Sequence, residues 1–363
     1  MADGSAHNLP LSLSTFIGRE ATIANVMQWL PVHRLVTLTG VGGCGKTRLA
    51  LETANRLLLQ YADGTWLIDF TSAADPGLVV QAAASALGLR EQPSRPLAST
   101  LVDFLQSRQV LLIFDNCEHL IDGVAHLATT LLQTCPDLHV LATSREPLGV
   151  IGEVVCIVPP LSLPEHHPWQ GPASGMAALA AYRESEAVQL FVARAGIASP
   201  AFTLSIDNGG WVAEICRRLD GMPLAIELAA ARARALSVRE IAQRLDDRFR
   251  LLTAGSRTAP LRQQTLVATV DWSYNLLSDS ERKVLHGLAV FAGGCTLTAA
   301  EAVCADESVQ TAEVIDVLAH LVDKSLVVAD QTADSTRYRL LETIRQYALA
   351  KLQVAGDRLL AVS

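Results

Sequence analysis

Eight consecutive residues, Gly40-Val41-Gly42-Gly43-Cys44-Gly45-Lys46-Thr47, carry the plainest chemistry in the chain. They match the spacing G-x-x-x-x-G-K-[ST], which suits phosphate. Gly40, Gly42, Gly43 and Gly45 permit a tight wrap whose backbone N–H groups point inward at an anion. A helix starting near Lys46 adds about half a positive charge at its N-terminus, where phosphate oxygens gather. The Lys46 ammonium would then reach the β- and γ-phosphates and the Thr47 hydroxyl would ligate Mg²⁺. Cys44 and Arg48 complete the local candidate set. The alternative, a glycine-rich turn with no ligand, is disfavoured by the apolar run before the loop and the amphipathic pattern after it.

Two further positions fit the same chemistry. Val110–Phe114 is an apolar run ending in Asp115, and a carboxylate at the end of a strand beside such a loop can hold the Mg²⁺. Asn116, Glu118 and His119 follow directly. Thr143-Ser144-Arg145 closes another apolar run. Arg145 there could contact a γ-phosphate, the alternative being a surface arginine in a loop.

These residues need a frame. Leu35–Thr39, Trp66–Phe70, Val110–Phe114, Leu138–Thr143 and Val154–Val158 read as strands, with helices over Leu78–Leu87 and Leu120–Leu132. Strand and helix in alternation predict a parallel sheet covered on both faces. A Pro/Gly/His-rich stretch, Pro159–Gly175, breaks the pattern. Helices are then expected over Glu184–Ala195, Trp211–Leu219 and Leu224–Leu236, and over Thr265–Leu276, Asp279–Val290, Thr298–Cys304 and Thr311–Leu321. Ser325–Ala329 and Arg337–Leu340 read as a hairpin, so short helices followed by a hairpin suggest a winged helix.

Composition bounds the function. The chain has 363 residues and a formal net charge of -8, which argues against nonspecific attraction to nucleic acid or an anionic membrane. Its seven cysteines show no zinc-ligand spacing and read as buried thiols of a reducing, cytoplasmic compartment. Residues 1–15 have no apolar signal segment, and no run approaches the ~20 apolar residues of a membrane span.

The segments FIGRE (Phe16–Glu20), GVGGCGKTRLA, LLIFDNCEHL (Leu111–Leu120), LATSREPLGVIGE (Leu141–Glu153), LDGMPLAIELAAAR (Leu219–Arg232), DWSYNLLSDSER (Asp271–Arg282), LVDKSLV and YRLLETIRQYA occur in order along nearly the whole chain. Together they resemble the signal-transduction ATPases with numerous domains, and more closely the NB-ARC-like modules of bacterial transcriptional regulators. The resemblance implies an α/β P-loop NTPase with a parallel sheet, then an all-α helical domain and a winged-helix domain. The expected boundaries are a flexible lead-in at 1–14, then domains at 15–170, 171–258 and 259–352, with a tail at 353–363. It implies a switch that binds ATP or ADP with Mg²⁺ and is closed when ADP is bound. Ile17 and Arg19 would lie against adenine and ribose, and Pro223 would cap the base. It also implies linked output or sensor domains, or a protein partner, and leaves nucleotide-dependent self-association open. Many members of the resembled family carry a second acid where this chain has Asn116, which cannot act as a base, so the resemblance implies slow or absent hydrolysis, with Glu118 or His119 as substitutes; members with a winged-helix histidine would place it where this chain has Leu341.

A winged helix permits DNA binding, but the charges oppose it. From Thr298 to Lys324 the chain has six acidic residues (Glu301, Asp306, Glu307, Glu313, Asp316, Asp323) and Lys324 as the single Lys or Arg. A groove-reading helix needs Arg or Lys. The stretch Arg232–Arg250, with Arg232, Arg234, Arg239, Arg244, Arg248 and Arg250 offset by Glu240, Asp246 and Asp247, reads as a solvated helix face.

Overall fold

A computed structural model describes residues 6–73, 75–91, 95–164, 172–245, 266–306, 308–331 and 335–362. Part of the expected linker (165–171), the expected boundary at 258/259, Glu307, and Asp246, Asp247, Arg248 and Arg250 of the arginine-rich stretch lie outside them. By compactness the chain divides into two units, residues 1–40 with 45–159, and residues 41–44 with 160–363.

The first unit holds α1 (Glu20–His33), β1 (Leu35–Thr39), α2 (Lys46–Leu57), β2 (Thr65–Asp69), α3 (Val79–Ala86), α4 (Leu97–Leu105), β3 (Val110–Asp115), α5 (Ile121–Thr134), β4 (Leu138–Thr143) and β5 (Val154–Ile157). The sheet order is β2-β3-β4-β1-β5 and every pairing is parallel. Every residue of β1 and β3 is buried, as expected for strands covered on both faces. One side of the sheet packs Leu112, Phe114, Val140 and Leu138 into a core with Leu101, Leu105 and Leu131 of the helices. The most consequential feature is β4, inserted between β1 and β3. It brings the end of a third strand between the phosphate loop and Asp115.

The five strands of this sheet fall within a residue of the expectation at each end, and two helices of this unit, α1 and α4, were not anticipated. Pro31 inside α1 obscures its periodicity. Residues 6–8, in the expected flexible lead-in, lie along β2: His7 forms a parallel bridge with Thr65, and Asn8 exchanges hydrogen bonds with the Leu67 backbone at 2.9 and 2.6 Å.

The second unit is helical, then winged. It contains α6 (Pro172–Glu184), α7 (Glu186–Ala198), α8 (Ile206–Arg218), α9 (Pro223–Ala231) and α10 (Val238–Gln243), followed by α11 (Leu266–Asn275), α12 (Asp279–Leu288), α13 (Leu297–Cys304) and α14 (Val314–Asp323). An antiparallel hairpin, β6 (Val328–Gln331) with β7 (Thr336–Arg339), leads into α15 (Glu342–Val362). Leu318 and Leu321 of α14 are buried, as are Val284 and Leu285 of α12. A capping box starts α12: the Ser278 hydroxyl accepts from the Glu281 N–H at 3.2 Å, and the Glu281 carboxylate accepts from the Ser278 N–H at 2.7 Å. Helix α15 continues through the expected tail. Among the described residues no helix is long and apolar enough to cross a membrane. All seven cysteines are buried free thiols.

Candidate functional site

The loop between β1 and α2 has the backbone its glycines allow. Gly43 and Gly45 stand at φ of +82° and +93°, a region side-chain-bearing residues rarely adopt, and Gly40 reaches +153°. Helix α2 opens at Lys46 with no side-chain cap and no acidic residue in its first turn, the kind of helix start that suits an anion. The Lys46 ammonium donates to the Gly40 carbonyl at 2.6 Å, folded across the mouth of the loop.

Asp115 is the focus of the site. It is buried, and its Oδ1 accepts from the Thr47 hydroxyl at 2.7 Å and the Thr143 hydroxyl at 2.5 Å. Its Oδ2 accepts from the Asn116 amide at 2.7 Å. Three consecutive elements of the sheet thus meet on one carboxylate: α2 follows β1, Thr143 ends β4, and Asp115 ends β3. Burial pushes the Asp115 carboxyl above its ordinary range, assisted by the nearby Asp69 and Glu118 charges and opposed by the two threonine hydroxyls. A divalent cation would relieve that strain. Carboxylate and hydroxyl oxygens are the donors Mg²⁺ prefers, so the residues fit the group the loop implies.

Asn116 explains itself structurally. Its backbone is left-handed at φ +62°, a conformation asparagine tolerates, and its side-chain amide also donates to Asp69 Oδ1 at 3.1 Å and Thr71 Oγ1 at 3.0 Å. It ties the end of β2 to the end of β3 and orients Asp115. His119 is likewise positional, its Nε2 lying 3.1 Å from the Phe70 carbonyl and 3.0 Å from that of Ala73.

Glu118 and Arg145 meet. Arg145 Nε donates to Glu118 Oε1 at 3.1 Å, with side-chain exposures of 7% and 5%. Burial alone would raise the Glu118 carboxyl, but the charges of Arg145 and Lys46 outweigh it and hold the group below its ordinary range. Arg145 is therefore buried beside the phosphate loop and is not a surface arginine. The loop after it is closed by Glu153, whose carboxylate accepts from the N–H groups of Leu148 and Gly149, both at 2.8 Å.

The remaining candidates sit further out. Arg19 is buried, in a left-handed conformation, and donates to the Pro159 carbonyl at 2.8 Å. Ile17 is half-buried beside it in sequence. Arg48 reaches the Ser14 hydroxyl at 2.9 Å and the carbonyls of Ser14 and Thr15, both at 3.2 Å, so it fastens the segment leading to Phe16. Pro223 belongs to the second unit, where it opens α9. Thr143, Asp69 and Thr71 were not anticipated as part of the site. The polar triplet Thr143-Ser144-Arg145 was the available signal, and its threonine carries as much of the geometry as its arginine.

Comparison with known proteins bears on the family and the fold. Residues 32–152 match the model of an AAA domain, and residues 277–353 match that of a winged helix-turn-helix domain. An uncharacterized protein of Mycobacterium tuberculosis is 43% identical over 352 residues, covering 97% of this chain and 84% of that protein. The chain belongs to that protein's family. It joins a P-loop ATPase domain, through helical segments, to a winged helix-turn-helix domain. A second Mycobacterium tuberculosis protein, named as an HTH-type transcriptional regulator, is 47% identical over 328 residues, 90% of this chain. The chain spans only 35% of that regulator's length. In fold, a Walker-type ATPase of Pyrococcus abyssi superposes with a TM-score of 0.53 at 14% identity, over 92% of this chain and 96% of the other.

Within the winged helix-turn-helix domain the basic side chains are occupied. Lys324 donates to Glu281 at 2.7 Å, Arg282 pairs with Asp279 at 3.2 Å, Arg339 with Asp330 at 2.6 Å, Arg345 with Glu342 at 2.7 Å and Lys351 with Asp271 at 2.9 Å. Lys283 pairs with Asp306, and Arg337 donates to the carbonyls of Gly293 and Gly294. Residues 277–353 hold eleven acidic residues against these seven basic ones.

Proposed function

We propose that the chain is the nucleotide-controlled switch of a regulatory ATPase acting in transcription, of the NB-ARC-like kind, binding ATP or ADP with Mg²⁺ and hydrolysing ATP slowly. The carrying observation is the Thr47–Asp115–Thr143 cluster beside the glycine loop. Lys46 and the loop amides would hold the phosphates, and Thr47 and Asp115 would hold Mg²⁺. Arg145 would distinguish triphosphate from diphosphate. Ile17 and Arg19 would face the base and ribose, with Pro223 supplied from the helical segments. One charge-assisted hydrogen bond contributes about 1.5–3 kcal/mol, whereas swinging a two-state equilibrium from 1:99 to 99:1 takes about 5.5 kcal/mol. Arg145 therefore cannot throw the switch alone, and domain contacts must change with it. The boundaries 15–170, 171–258 and 259–352 are proposed as the moving bodies. The greater length of the regulator it matches supports further output or sensor domains on the whole protein.

Denaturing the purified chain and identifying released nucleotide by chromatography tests this. Co-purifying ADP supports the switch, and failure to bind either ADP or ATP in titration removes it.

Direct DNA binding is the second reading, favoured by the match to a winged helix-turn-helix model. The acidic balance and the paired Lys324 weigh against it, so the domain is proposed as a packing and signalling element. Salt-sensitive retention of duplex DNA by the chain would reverse that preference.

A further inference from the structure

A buried ion pair between two polar groups is an expensive way to fill space, because apolar residues of similar volume do so without the desolvation penalty. The Glu118–Arg145 pair is nonetheless kept beside the phosphate loop, and its geometry is half-used. Arg145 Nε donates to Glu118 Oε1, and among the described residues the other carboxylate oxygen, Oε2, is buried without a hydrogen-bond donor. The backbone carrying Glu118 is fixed on both sides. Cys117 donates from Sγ to the Phe114 carbonyl at 3.4 Å, and His119 is clamped to two carbonyls. Arg145 follows Ser144, whose N–H donates to Leu38 of β1 at 3.0 Å. Two side chains on fixed backbone therefore share one contact next to Lys46 and Asp115.

We propose that Glu118 is the general base of ATP hydrolysis and that Arg145 holds it in reserve until a γ-phosphate draws the guanidinium away. This rests on the reading of the glycine loop as an ATP site. While paired, the carboxylate is a poor base. Once Arg145 turns to the γ-phosphate, Glu118 is left buried without its partner and becomes a stronger one. It then takes a proton from water as the water oxygen bonds to the γ-phosphorus. The bond from that phosphorus to the bridging oxygen breaks, its electron pair stays on ADP, and inorganic phosphate forms. Glu118 releases the proton to solvent, and Arg145 returns to it. The acid that Asn116 does not supply thus comes from two residues further along, on the turn that Asn116 creates.

The test uses the full chain, Mg²⁺, single-turnover hydrolysis of radiolabelled ATP, and titration with fluorescent ATP and ADP. Glu118→Gln preserves an acceptor for Arg145 and is expected to bind both nucleotides within about threefold of the unaltered chain while hydrolysing at least about 100-fold more slowly. Arg145→Gln is expected to lose about tenfold or more of its preference for ATP over ADP, since a charge-assisted contact to the third phosphate disappears. Hydrolysis by Glu118→Gln at the unaltered rate overturns the proposal. So does an unchanged ATP-to-ADP ratio in Arg145→Gln, which would mark the arginine as structural. Should Glu118→Gln not fold, Glu118→Asp keeps the charge and shortens the reach, and hydrolysis by it at the unaltered rate is equally fatal. ATP binding by the unaltered chain with no turnover overturns the base assignment and leaves the ATP site standing. Lys46→Ala binding ATP as tightly as the unaltered chain would sink the underlying reading instead.

Discussion

The carboxylate of Asp220 accepts from Thr343 twice across 123 residues of sequence, from the backbone N–H at 3.1 Å and from the hydroxyl at 3.4 Å. Thr343 is the second residue of α15, where the N–H has no partner within its own helix. Asp220 stands at φ +53° immediately before the Gly221-Met222-Pro223 turn. The turn that starts α9 therefore also caps the last helix of the winged domain, and Leu341, where the family resemblance would put a histidine, is buried immediately before that helix.

Asp220→Ala should consequently loosen the second unit by about 1–2 kcal/mol, the usual loss for a removed helix cap. Thermal denaturation followed by circular dichroism checks this, and Asp220→Asn, which keeps an acceptor, should retain most of the stability. Equal losses in both variants would show that the charge, and not the cap, is what counts.

Lys46→Ala should remain folded and lose about 10- to 150-fold in ATP affinity, corresponding to one charge-assisted hydrogen bond. Fluorescent-nucleotide titration reads the affinity and a melting curve reads the fold. Unchanged binding would remove Lys46 from the site.

Asn116 offers a sharper comparison. Asn116→Gly keeps the left-handed backbone and deletes the amide contacts, whereas Asn116→Ala adds the conformational strain. Both should lose stability through the Asp69–Asp115 tie, and Asn116→Ala should lose about 0.5–1 kcal/mol more. Denaturant titration measures the difference, and identical midpoints would place the residue's importance elsewhere.

The pH dependence of the winged domain follows from Glu281. Burial alone would raise its carboxyl, but the hydrogen bonds from Lys324 and from the Ser278 backbone prevail and lower it. A folded-state value below the unfolded one contributes stability that is complete above the unfolded value, about 4.3, and is lost as pH falls through the folded one. The denaturation midpoint of the unaltered chain should therefore fall below about pH 4.3 more steeply than that of Glu281→Gln. At pH 7 the same variant should be less stable by about 1–3 kcal/mol, because Lys324 and the cap lose their anionic partner. Parallel pH profiles would refute the assignment.

Much of this was legible in the residues because local signals agreed. The glycine spacing, the apolar run ending in Asp115 and the alternation of strand with helix all pointed to one fold. Thr143 escaped notice as a partner of Asp115 because that contact depends on the order of strands in the sheet. Nothing in the periodicity of Leu138–Thr143 says that it lies between β1 and β3. Asn116 was read only for the acid it lacks, since its amide contacts to Asp69 and Thr71 require β2 alongside β3. Glu118 and Arg145 were each noted as chemistry without being joined, because 27 residues separate them and only the sheet brings them together.

The central position of β4 has a consequence for changes in its length. Its side chains alternate between faces, so gaining or losing one residue within Leu138–Thr143 would turn the apolar set and Thr143 to opposite sides at the same stroke. An insertion or deletion there would disturb the packing of the sheet and the hold on Asp115 together.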